Sequence, residues 1–371
     1  MLSMERLFER FISYAKTDSE TGNEQAMGRR LVQELQHIGL GVSTDCAGES
    51  FGSNGFNVFA DIQGTLPGEP ILLTAHMDTV KPGCGIRPIL SDGVIHTDGS
   101  TILSSDDKSG ICAIMETLYT VKERGLPHRS VEILFTVGEE GGMRGAKFFD
   151  VSKLKSRCAF VFDSNGPVGG IVAAAPGQIK IKAEVIGRAA HAGLAPETGI
   201  SAIQVISHAI SRMKLLRVDE ETTCNIGTLF SEYATNIVPE RAMLLGEVRS
   251  RSTEKLEKHT EHICQCLQET CDRFGATLAS DCFLNYPAFA LSPDCKTVKL
   301  AEKAIRSIGR QPEVQSGNGG SDANIFNSRG IEAVALATGM ENVHTCQETL
   351  LMTELKKSAE LAFALLTGKD V

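Results

Sequence analysis

The chain has 371 residues, of which 42% are hydrophobic and 22% charged, and its formal net charge is −9 at pH 7. This balance is typical of a globular protein large enough for two domains. It disfavours nucleic acid as a partner, because phosphate binding needs a basic patch. No apolar stretch approaches the roughly 18 residues that cross a bilayer, so we expect no membrane partner either.

The N-terminal segment is predicted to be an amphipathic helix and not a signal peptide, because Arg6 and Arg10 interrupt its apolar residues. The eleven cysteines are irregularly spaced, and Cys112 and Cys158 lie within apolar runs. This pattern indicates reduced thiols, several of them in a core. We therefore expect a cytoplasmic protein.

Four continuous apolar runs predict the strands of a parallel sheet, because strands buried on both faces have few polar interruptions. In chain order they are 71–75, 131–137, 159–162 and 333–337. Helical patterns follow or separate most of them, most clearly at 109–124 and about 347–366. Strands that alternate with helices predict an α/β fold, with helices on both faces of the sheet.

Residues 178–288 have a different pattern, which predicts a small α+β domain. The strand at 177–187 alternates polar and apolar residues, as expected for a strand with one solvated face. Further elements are predicted at 199–215, 225–229, 242–248, 253–274 and 277–284. We therefore predict one domain formed by 1–177 and 289–371, with a second domain at 178–288 inserted into it.

Acidic or imidazole side chains follow the predicted buried strands. These residues are His76, Asp78, Glu139, Glu140, Asp163 and, after a short loop, His344. Asp106 and Asp107 add two carboxylates where the helix 109–124 begins. Ligands of open α/β sheets bind at the carboxyl ends of the strands, so these side chains are predicted to converge.

So many carboxylates at one place would repel one another unless cations neutralise them. Oxygen and imidazole ligands without thiolates suit zinc, cobalt or manganese. Too many candidate ligands are present for one tetrahedral ion, so two ions bridged by a carboxylate are predicted. Each pair alone has a simpler interpretation, such as a solvated turn at Glu139 and Glu140 or a helix cap at Asp106 and Asp107. The combination at successive strand ends favours the metal site.

A second candidate metal site lies on the helix 253–274. His259, His262 and Cys266 are spaced to share one helix face. No strand end or carboxylate cluster accompanies them, so a solvated helix face is the favoured interpretation.

Five features together resemble the co-catalytic zinc exopeptidases, and most closely the peptidase T-like group. They are HMDTV (76–80), SSDDKSG (104–110), GEEGG (138–142), VFD (161–163) and the late His344. The same superfamily includes glutamate carboxypeptidase, acetylornithine deacetylase and succinyl-diaminopimelate desuccinylase. The resemblance implies a zinc-exopeptidase-like catalytic domain with a mixed central sheet between helices. It also implies that the inserted α+β domain is a lid and dimerisation domain.

The resemblance implies two Zn²⁺ ions per chain, with Co²⁺ or Mn²⁺ as possible substitutes. His76, Asp106 and Asp163 would hold one ion. Asp106, Glu140 and His344 would hold the other, so that Asp106 bridges the two.

Two further residues would act beside the metal ligands. Asp78 would lie behind His76 and orient its ring. Glu139 would be the general base that activates a water bridging the zinc ions, and it would later protonate the leaving amine. The peptide bond between Asp106 and Asp107 is expected to be cis.

The resemblance assigns substrate contacts to the inserted domain. His191 would stabilise the developing oxyanion, often across a dimer interface, while Asn236 and Arg249 would grip the substrate. Arg suits a carboxylate, because its planar guanidinium binds in a bidentate way. The alternative for His191 is an ordinary surface-loop histidine.

The glycine-rich segment 316–324 could cradle a phosphate at a helix N-terminus, but no Walker lysine follows it. The resemblance favours a turn that lines the substrate pocket, with Asn318 and Gly320 as substrate-binding residues. Peptidase T has an arginine at the position of Asn318. This difference brings a strict specificity for tripeptides into question.

We expect a metal-dependent exopeptidase that acts on small peptides and releases the N-terminal residue of di- or tripeptides. An N-acyl amino acid deacylase is the alternative hydrolase, and a metal-binding protein without catalysis is a third hypothesis. A homodimer through the inserted domain is expected, and the strand 178–185 is a candidate for pairing across a two-fold axis.

Overall fold

A computed structural model of the protein describes residues 2–368, which form two compact units. Unit 2 consists of Ala175–Ala290 and Asn318–Gly320, and unit 1 contains the remaining described residues. The lid and dimerisation role expected for 178–288 remains a prediction.

In chain order, the α-helices in the described part of the chain are α1 (Met4–Ala15), α2 (Gln25–His37), α3 (Ser105–Arg124), α4 (Arg144–Phe148), α5 (Ala202–Ile210), α6 (Thr253–Phe274), α7 (Lys296–Ser307), α8 (Asp322–Ser328) and α9 (Met352–Thr367). Short 3₁₀ turns cover Ala47–Phe51, Val151–Lys153 and Pro196–Thr198.

The strands belong to three sheets. They are β1 (Val42–Thr44), β2 (Val58–Ile62), β3 (Ile71–His76), β4 (Ile89–Ser91), β5 (Val94–His96), β6 (Val131–Thr136), β7 (Cys158–Ser164), β8 (Gly170–Ala175), β9 (Gly177–Ile186), β10 (Leu216–Arg217), β11 (Thr222–Phe230), β12 (Arg241–Ser250), β13 (Thr277–Tyr286), β14 (Phe289–Ala290), β15 (Glu313–Ser316), β16 (Glu332–Ala337), β17 (Met340–Glu341) and β18 (Thr349–Leu351).

The largest sheet has nine strands in the order β1-β2-β6-β3-β7-β16-β8-β14, with β15 beside β8. The four central strands β6, β3, β7 and β16 are parallel. Strand β1 is antiparallel to β2, and β2 is antiparallel to β6. Strand β8 is antiparallel to β16 and parallel to β15. All residues of β3 and β6 are buried. The predicted mixed α/β fold is therefore confirmed, and the four apolar runs form the central parallel strands.

Helix α3 packs against β3, β7, α1 and α9 in unit 1. It ends at Gly125, whose positive φ of 58° suits a glycine at a helix C-terminus. Its first turn is irregular, because Asp106 and Asp107 have non-helical backbone angles and the peptide bond between them is cis, as expected. The regular helix therefore begins just after these two carboxylates.

A four-stranded antiparallel sheet in the order β17-β18-β5-β4 lies in unit 1. It corrects one prediction, because the helix predicted from about 347 begins only at Met352. Residues Thr349–Leu351 are instead the strand β18, which pairs with β5. The short loop between β17 and β18 carries His344.

Unit 2 contains a five-stranded antiparallel sheet in the order β10-β11-β12-β9-β13, against which α5 and α6 pack. Along β9, Ile181, Ala183 and Val185 are buried in the core of this unit. The helix predicted at 199–215 is shorter, because Ser201 caps its start and it ends at Ile210.

The proposed edge pairing of 178–185 is wrong. Strand β9 pairs with β12 on one side and with β13 on the other, so its backbone groups are already bonded on both sides. The edges of this sheet are β10 and β13. A strand pairing across a two-fold axis would therefore have to use β13, the two-residue β10, or the part of β11 that extends beyond β10.

Helix α6 is long and amphipathic. Ser252 caps its first turn by accepting the backbone N–H of Lys255, and Gly275 ends it with a φ of 70°. One face, which includes Leu256, Ile263 and Leu267, is buried in the core of unit 2.

Within residues 2–368, the structure has no helix that combines the length and the apolar character needed to cross a membrane.

Candidate metal centre and active site

The central strands bring the predicted residues to one edge of the large sheet. His76 is the last residue of β3 and lies opposite Thr136, the last residue of the parallel strand β6. Thr74 of β3 lies opposite Val161 of β7, which continues to Asp163. Because the three strands are parallel and in register, their carboxyl ends lie side by side at one edge of the sheet.

Asp106 lies between the two histidines. Its Oδ1 is 2.9 Å from Nε2 of His76, and its Oδ2 is 3.1 Å from Nε2 of His344. Nε2 of His344 is also 2.7 Å from Oε1 of Glu140, and Nε2 of His76 is 3.9 Å from Oδ1 of Asp163. Each oxygen of the Asp106 carboxylate therefore faces a different imidazole, which is the arrangement of a bridging ligand.

The donor set fits metal ions. Ligand atoms of His76, Asp106 and Glu140 all lie within 4.8 Å of one another, and so do those of His76, Glu139 and Asp163. Oε1 of Glu140 is buried and makes no hydrogen bond of acceptable geometry within the described chain, although His344 is close. A buried carboxylate oxygen without a hydrogen-bond donor is costly unless a cation faces it.

The clustering of buried carboxylates and imidazoles shifts the pKa values of these groups. Burial raises the pKa of Glu139, and the charge on Asp163 raises it further. Burial and the charge on Asp106 likewise raise the pKa of Asp163. Burial alone would also raise the pKa of Asp106, but His344 and His76 outweigh it and hold that pKa below its usual range. The carboxylates of Asp106 and Glu140 raise the pKa of His344 to about 10.

Asp78 connects the strand ends through backbone groups. Its carboxylate accepts the backbone N–H of Glu139 at 2.9 Å and of Glu140 at 3.2 Å, together with the hydroxyl of Thr21 at 2.8 Å. Nδ1 of His76 lies 2.9 Å from the Asp78 carbonyl oxygen and 3.5 Å from its carboxylate. The nearest partner of the His76 imidazole is therefore the backbone carbonyl of Asp78. The Asp78 carboxylate instead binds the backbone N–H groups of Glu139 and Glu140.

Asp107 accepts the backbone N–H of His76 at 3.2 Å and that of Gly110 at 3.2 Å. It is fully buried, and it fixes the end of β3 to the start of α3. Its contacts are with the backbone of a predicted ligand and not with the ligand atoms themselves.

Sequence reasoning did not identify Glu348, which is 1% exposed. Its Oε2 accepts the backbone N–H groups of Leu103 and Ser104, both at 2.8 Å. Its Oε1 accepts the Ser105 hydroxyl at 2.6 Å and the Asp106 N–H at 3.0 Å. This one carboxylate therefore holds the whole segment that ends at Asp106, and only a tertiary contact reveals it.

Asp322 is a second buried acid that sequence reasoning did not single out. Oδ2 accepts the Thr136 hydroxyl at 2.6 Å, while Oδ1 has no hydrogen-bond partner in the described chain. Burial raises its pKa to about 6, and its charge contributes to the raised pKa of Glu139. The available signal is its position in the glycine-rich segment 316–324, whose sequence predicts phosphate or substrate binding but does not distinguish a buried acid.

Within unit 2, the segments that carry His191 and Asn236 lie side by side. The backbone of His191 bridges to that of Ile237, and the N–H of Ala192 donates to the Asn236 carbonyl at 2.9 Å. Nδ1 of His191 accepts the N–H groups of Gly193 and Leu194, both at 3.1 Å. A neutral imidazole therefore carries its proton on Nε2.

Arg249 forms an ion pair within its own strand. Its Nε lies 2.7 Å from Oε1 of Glu247, and the amide of Gln178 donates to the other oxygen of Glu247 at 2.6 Å. Asn318 is exposed and Gly320 is partly exposed. Both belong to the short segment of unit 2 that immediately precedes the helix cap Ser321.

The second candidate metal site, at His259, His262 and Cys266, has ordinary contacts. Nε2 of His259 donates to the Lys214 carbonyl at 3.0 Å, and Cys266 lies 3.8 Å from the His262 ring nitrogens. Both groups of possible metal ligands found within residues 2–368 lie at the strand ends, and neither contains these residues.

The chain is similar to known peptidases in sequence and in structure. Residues 72–368 match the model of peptidase family M20/M25/M40. The aminopeptidase PepT from Bacillus cereus ATCC 10987 has a similar structure, with a TM-score of 0.90 and 38% identity over 99% of this chain and 98% of that one. A tripeptidase from Staphylococcus aureus subsp. aureus Mu50 has a TM-score of 0.95 and 35% identity, with the same coverage.

A more distant structure shares the fold. The Bacillus subtilis YXEP protein, a dinuclear metal-binding peptidase from the M20 family, is 19% identical over 98% of each chain, with a TM-score of 0.71.

Proposed function

The chain belongs to peptidase family M20/M25/M40, and on this basis we propose that it is a metal-dependent aminopeptidase that releases the N-terminal residue of di- or tripeptides. The observation that carries the proposal is the position of Glu139, a buried carboxylate beside candidate ligands that could hold two cations. The similarity to a PepT aminopeptidase and to a tripeptidase supports the choice of substrate class.

We assign His76, Asp106 and Asp163 to one metal ion, and Asp106, Glu140 and His344 to the other. The position of Asp106 between the two imidazoles supports its role as the shared ligand. Zn²⁺ is the proposed ion, since imidazole and carboxylate ligands suit it, and Co²⁺ or Mn²⁺ would bind the same donors. Two such cations would acidify a water molecule and polarise the scissile carbonyl.

Glu139 is the proposed general base. Its carboxylate would take the proton of the attacking water and then deliver it to the leaving amine. Its backbone N–H is held by Asp78, so the side chain starts from a fixed position. The raised pKa that burial gives it suits a group that must both accept and return a proton.

Unit 2 is the proposed source of substrate contacts. His191 has its proton on Nε2 when neutral, so it can donate a hydrogen bond to a developing oxyanion. Asn236 lies on the neighbouring segment and offers an amide. Arg249 would bind a substrate carboxylate, and its ion pair with Glu247 orients the guanidinium. Asn318 and Gly320 are proposed to line the pocket.

A homodimer through unit 2 and a cytoplasmic location remain proposals. Supporting the dimer, the long edge strand β13 exposes Phe283 and Leu284. Sedimentation velocity, with a Phe283→Lys variant as the interface control, tests the dimer directly.

The metal content per chain and the turnover of a substrate panel test the proposed function. The panel pairs each di- or tripeptide with its N-acetylated form. Two metal ions per chain and cleavage of free-amine peptides would support the aminopeptidase. Cleavage of only the N-acylated compounds would instead favour the deacylase. An intact protein that binds metal but cleaves neither group would contradict the proposed function.

A further inference from the structure

Two cysteines of unit 2 come from different elements and meet at its surface. Cys264 lies on α6 and Cys282 on the edge strand β13, and their Sγ atoms are 3.3 Å apart. Cys264 is partly exposed and Cys282 is exposed. No part of the proposed peptidase mechanism uses either thiol.

The fold fixes this contact. Cys264 borders the buried face of α6, next to the core residue Ile263. Cys282 lies in a regular part of β13, where it pairs with Ile181 of the neighbouring strand β9. Since α6 packs against β9 and β13, the two sulfur atoms meet without any rearrangement of the elements that carry them.

The pair has the chemistry of a reactive dithiol. A hydrogen bond from Cys282 lowers the pKa of Cys264 to about 7, because it stabilises the thiolate. The same hydrogen bond raises the pKa of Cys282, which retains the shared proton. By contrast, burial raises the pKa of the core thiol Cys112 well above its ordinary value, which disfavours the thiolate that reacts with oxidants.

We propose that Cys264 and Cys282 form a redox modification site, at which a peroxide converts the two thiols into an intramolecular disulfide that joins α6 to β13.

The reaction balances with hydrogen peroxide as the oxidant. The Cys264 thiolate attacks one peroxide oxygen, an S–O bond forms, the O–O bond breaks and hydroxide leaves as water after protonation. Cys264 is then a sulfenic acid, oxidised by two electrons, and the peroxide is reduced. The Cys282 sulfur loses its proton and attacks the Cys264 sulfur, so that an S–S bond forms, the S–O bond breaks and a second water leaves.

The disulfide would close the chain segment between residues 264 and 282, which includes the end of α6 and the turn into β13. Crosslinking a segment of this kind restricts the unfolded chain and thereby stabilises the folded unit. Thermal unfolding of the oxidised protein should therefore shift to higher temperature and return to its starting value after dithiothreitol.

Peptide mapping of the metal-loaded, full-length enzyme tests the proposal. The protein is treated with hydrogen peroxide, alkylated with N-ethylmaleimide, digested without reduction and analysed by mass spectrometry. We expect alkylation of Cys264 and Cys282 to fall together by several-fold, and a crosslinked peptide pair to appear that has lost two hydrogens. The exposed thiol Cys46 is the internal control, and its alkylation should fall much less than that of Cys264 and Cys282.

Serine variants separate the proposed disulfide from other oxidation. In C282S, Cys264 should accumulate as a sulfenic acid that dimedone traps, and the shift in thermal unfolding should disappear. In C264S, Cys282 should remain open to alkylation after peroxide. Unchanged alkylation of both thiols in the wild-type protein would overturn the proposal. So would a disulfide between two chains on a non-reducing gel, or sulfinic acid at Cys264 with Cys282 free.

Discussion

The Glu348 carboxylate accepts the backbone N–H of Asp106 at 3.0 Å, although 242 positions separate the two residues in the sequence. Through three further hydrogen bonds, Glu348 also fixes the residues that lead into Asp106. The proposed bridging ligand therefore depends on a carboxylate whose four hydrogen bonds all go to residues 103–106.

Glu348→Gln tests this dependence. An amide offers one acceptor oxygen in place of two, so its nitrogen would face backbone donors and Asp106 would shift. We expect metal affinity or kcat/KM to fall by about 10- to 100-fold, the usual effect of losing a group that orients a metal ligand. Metal titration and steady-state kinetics measure the change. Glu9→Gln, at an exposed position of α1, is the control, and wild-type values for Glu348→Gln would refute the argument.

Glu139→Gln and Glu140→Gln should have different consequences, although the residues are adjacent. Removing the general base should lower kcat by about 10²- to 10⁴-fold with both metals retained. Removing Glu140 should lower metal content first, because one ligand of the second ion is lost. Metal analysis and kcat measured on the same samples distinguish the two. Equal loss of metal in both variants would contradict the assignment of Glu139 as the general base and Glu140 as a metal ligand.

Metal binding should stabilise the folded protein. The cations bind carboxylates that the fold holds together, and the unfolded chain does not hold them together. At a free ion concentration of about 100 Kd, each site contributes about 2.7 kcal/mol. Urea unfolding after chelation, and again after Zn²⁺ is restored, measures the effect. Asp163→Asn should show less stabilisation by Zn²⁺, and stabilisation equal to that of the wild type would argue against Asp163 as a ligand.

Asn318→Arg tests the specificity of the pocket. A guanidinium at this position would offer a charged partner to the substrate carboxylate, and a charged hydrogen bond contributes about 1.5–3 kcal/mol. We expect KM to fall about tenfold for peptides with a free C-terminal carboxylate and to change little for their amides. Asn318→Gln is the uncharged control. An equal effect on peptides and amides would show that Asn318 does not face the carboxylate.

The stability of unit 2 should depend on the protonation of His259. Burial lowers the pKa of His259 from its ordinary value of 6.5. The hydrogen bond to the Lys214 carbonyl and the charge on Asp219 oppose this shift, while the charges on His262 and Lys214 add to it. The unfolded chain therefore takes up a proton before the folded chain does. The contribution of His259 to the free energy of unfolding is fully present above pH 6.5. It is lost as the pH falls from there through the lowered pKa. Chemical unfolding from pH 8 to 5 should show a flatter profile for His259→Gln than for the control His37→Gln.

The central sheet was predictable because its signal is local. Continuous apolar runs such as 71–75 are long enough to identify strands, and the polar residues that follow them mark the open edge. The predicted start of α3 was nearly correct for the same reason, because Asp106 and Asp107 end the polar turn that precedes an apolar helix.

Other parts of the fold were not predictable, because they depend on contacts between distant segments. Strands β17 and β18 have only two and three residues, too few for a periodic pattern, and they form because β5 pairs with β18. The buried role of Glu348 has the same origin. The position of β9 inside its sheet could not be inferred from alternation alone, since a strand with one solvated face can be central or at an edge.

The hydrogen bonds of Glu348 also impose an order of events on biosynthesis. Until the segment containing His344 and Glu348 has emerged from the ribosome, residues 103–106 lack their acceptor and the second metal position lacks its imidazole. Ribosomes add roughly 5–20 residues per second, so the partial chain exists for many seconds while it is synthesised. Throughout that time it has no complete peptidase site, and hydrolytic activity can arise only after synthesis has passed Glu348.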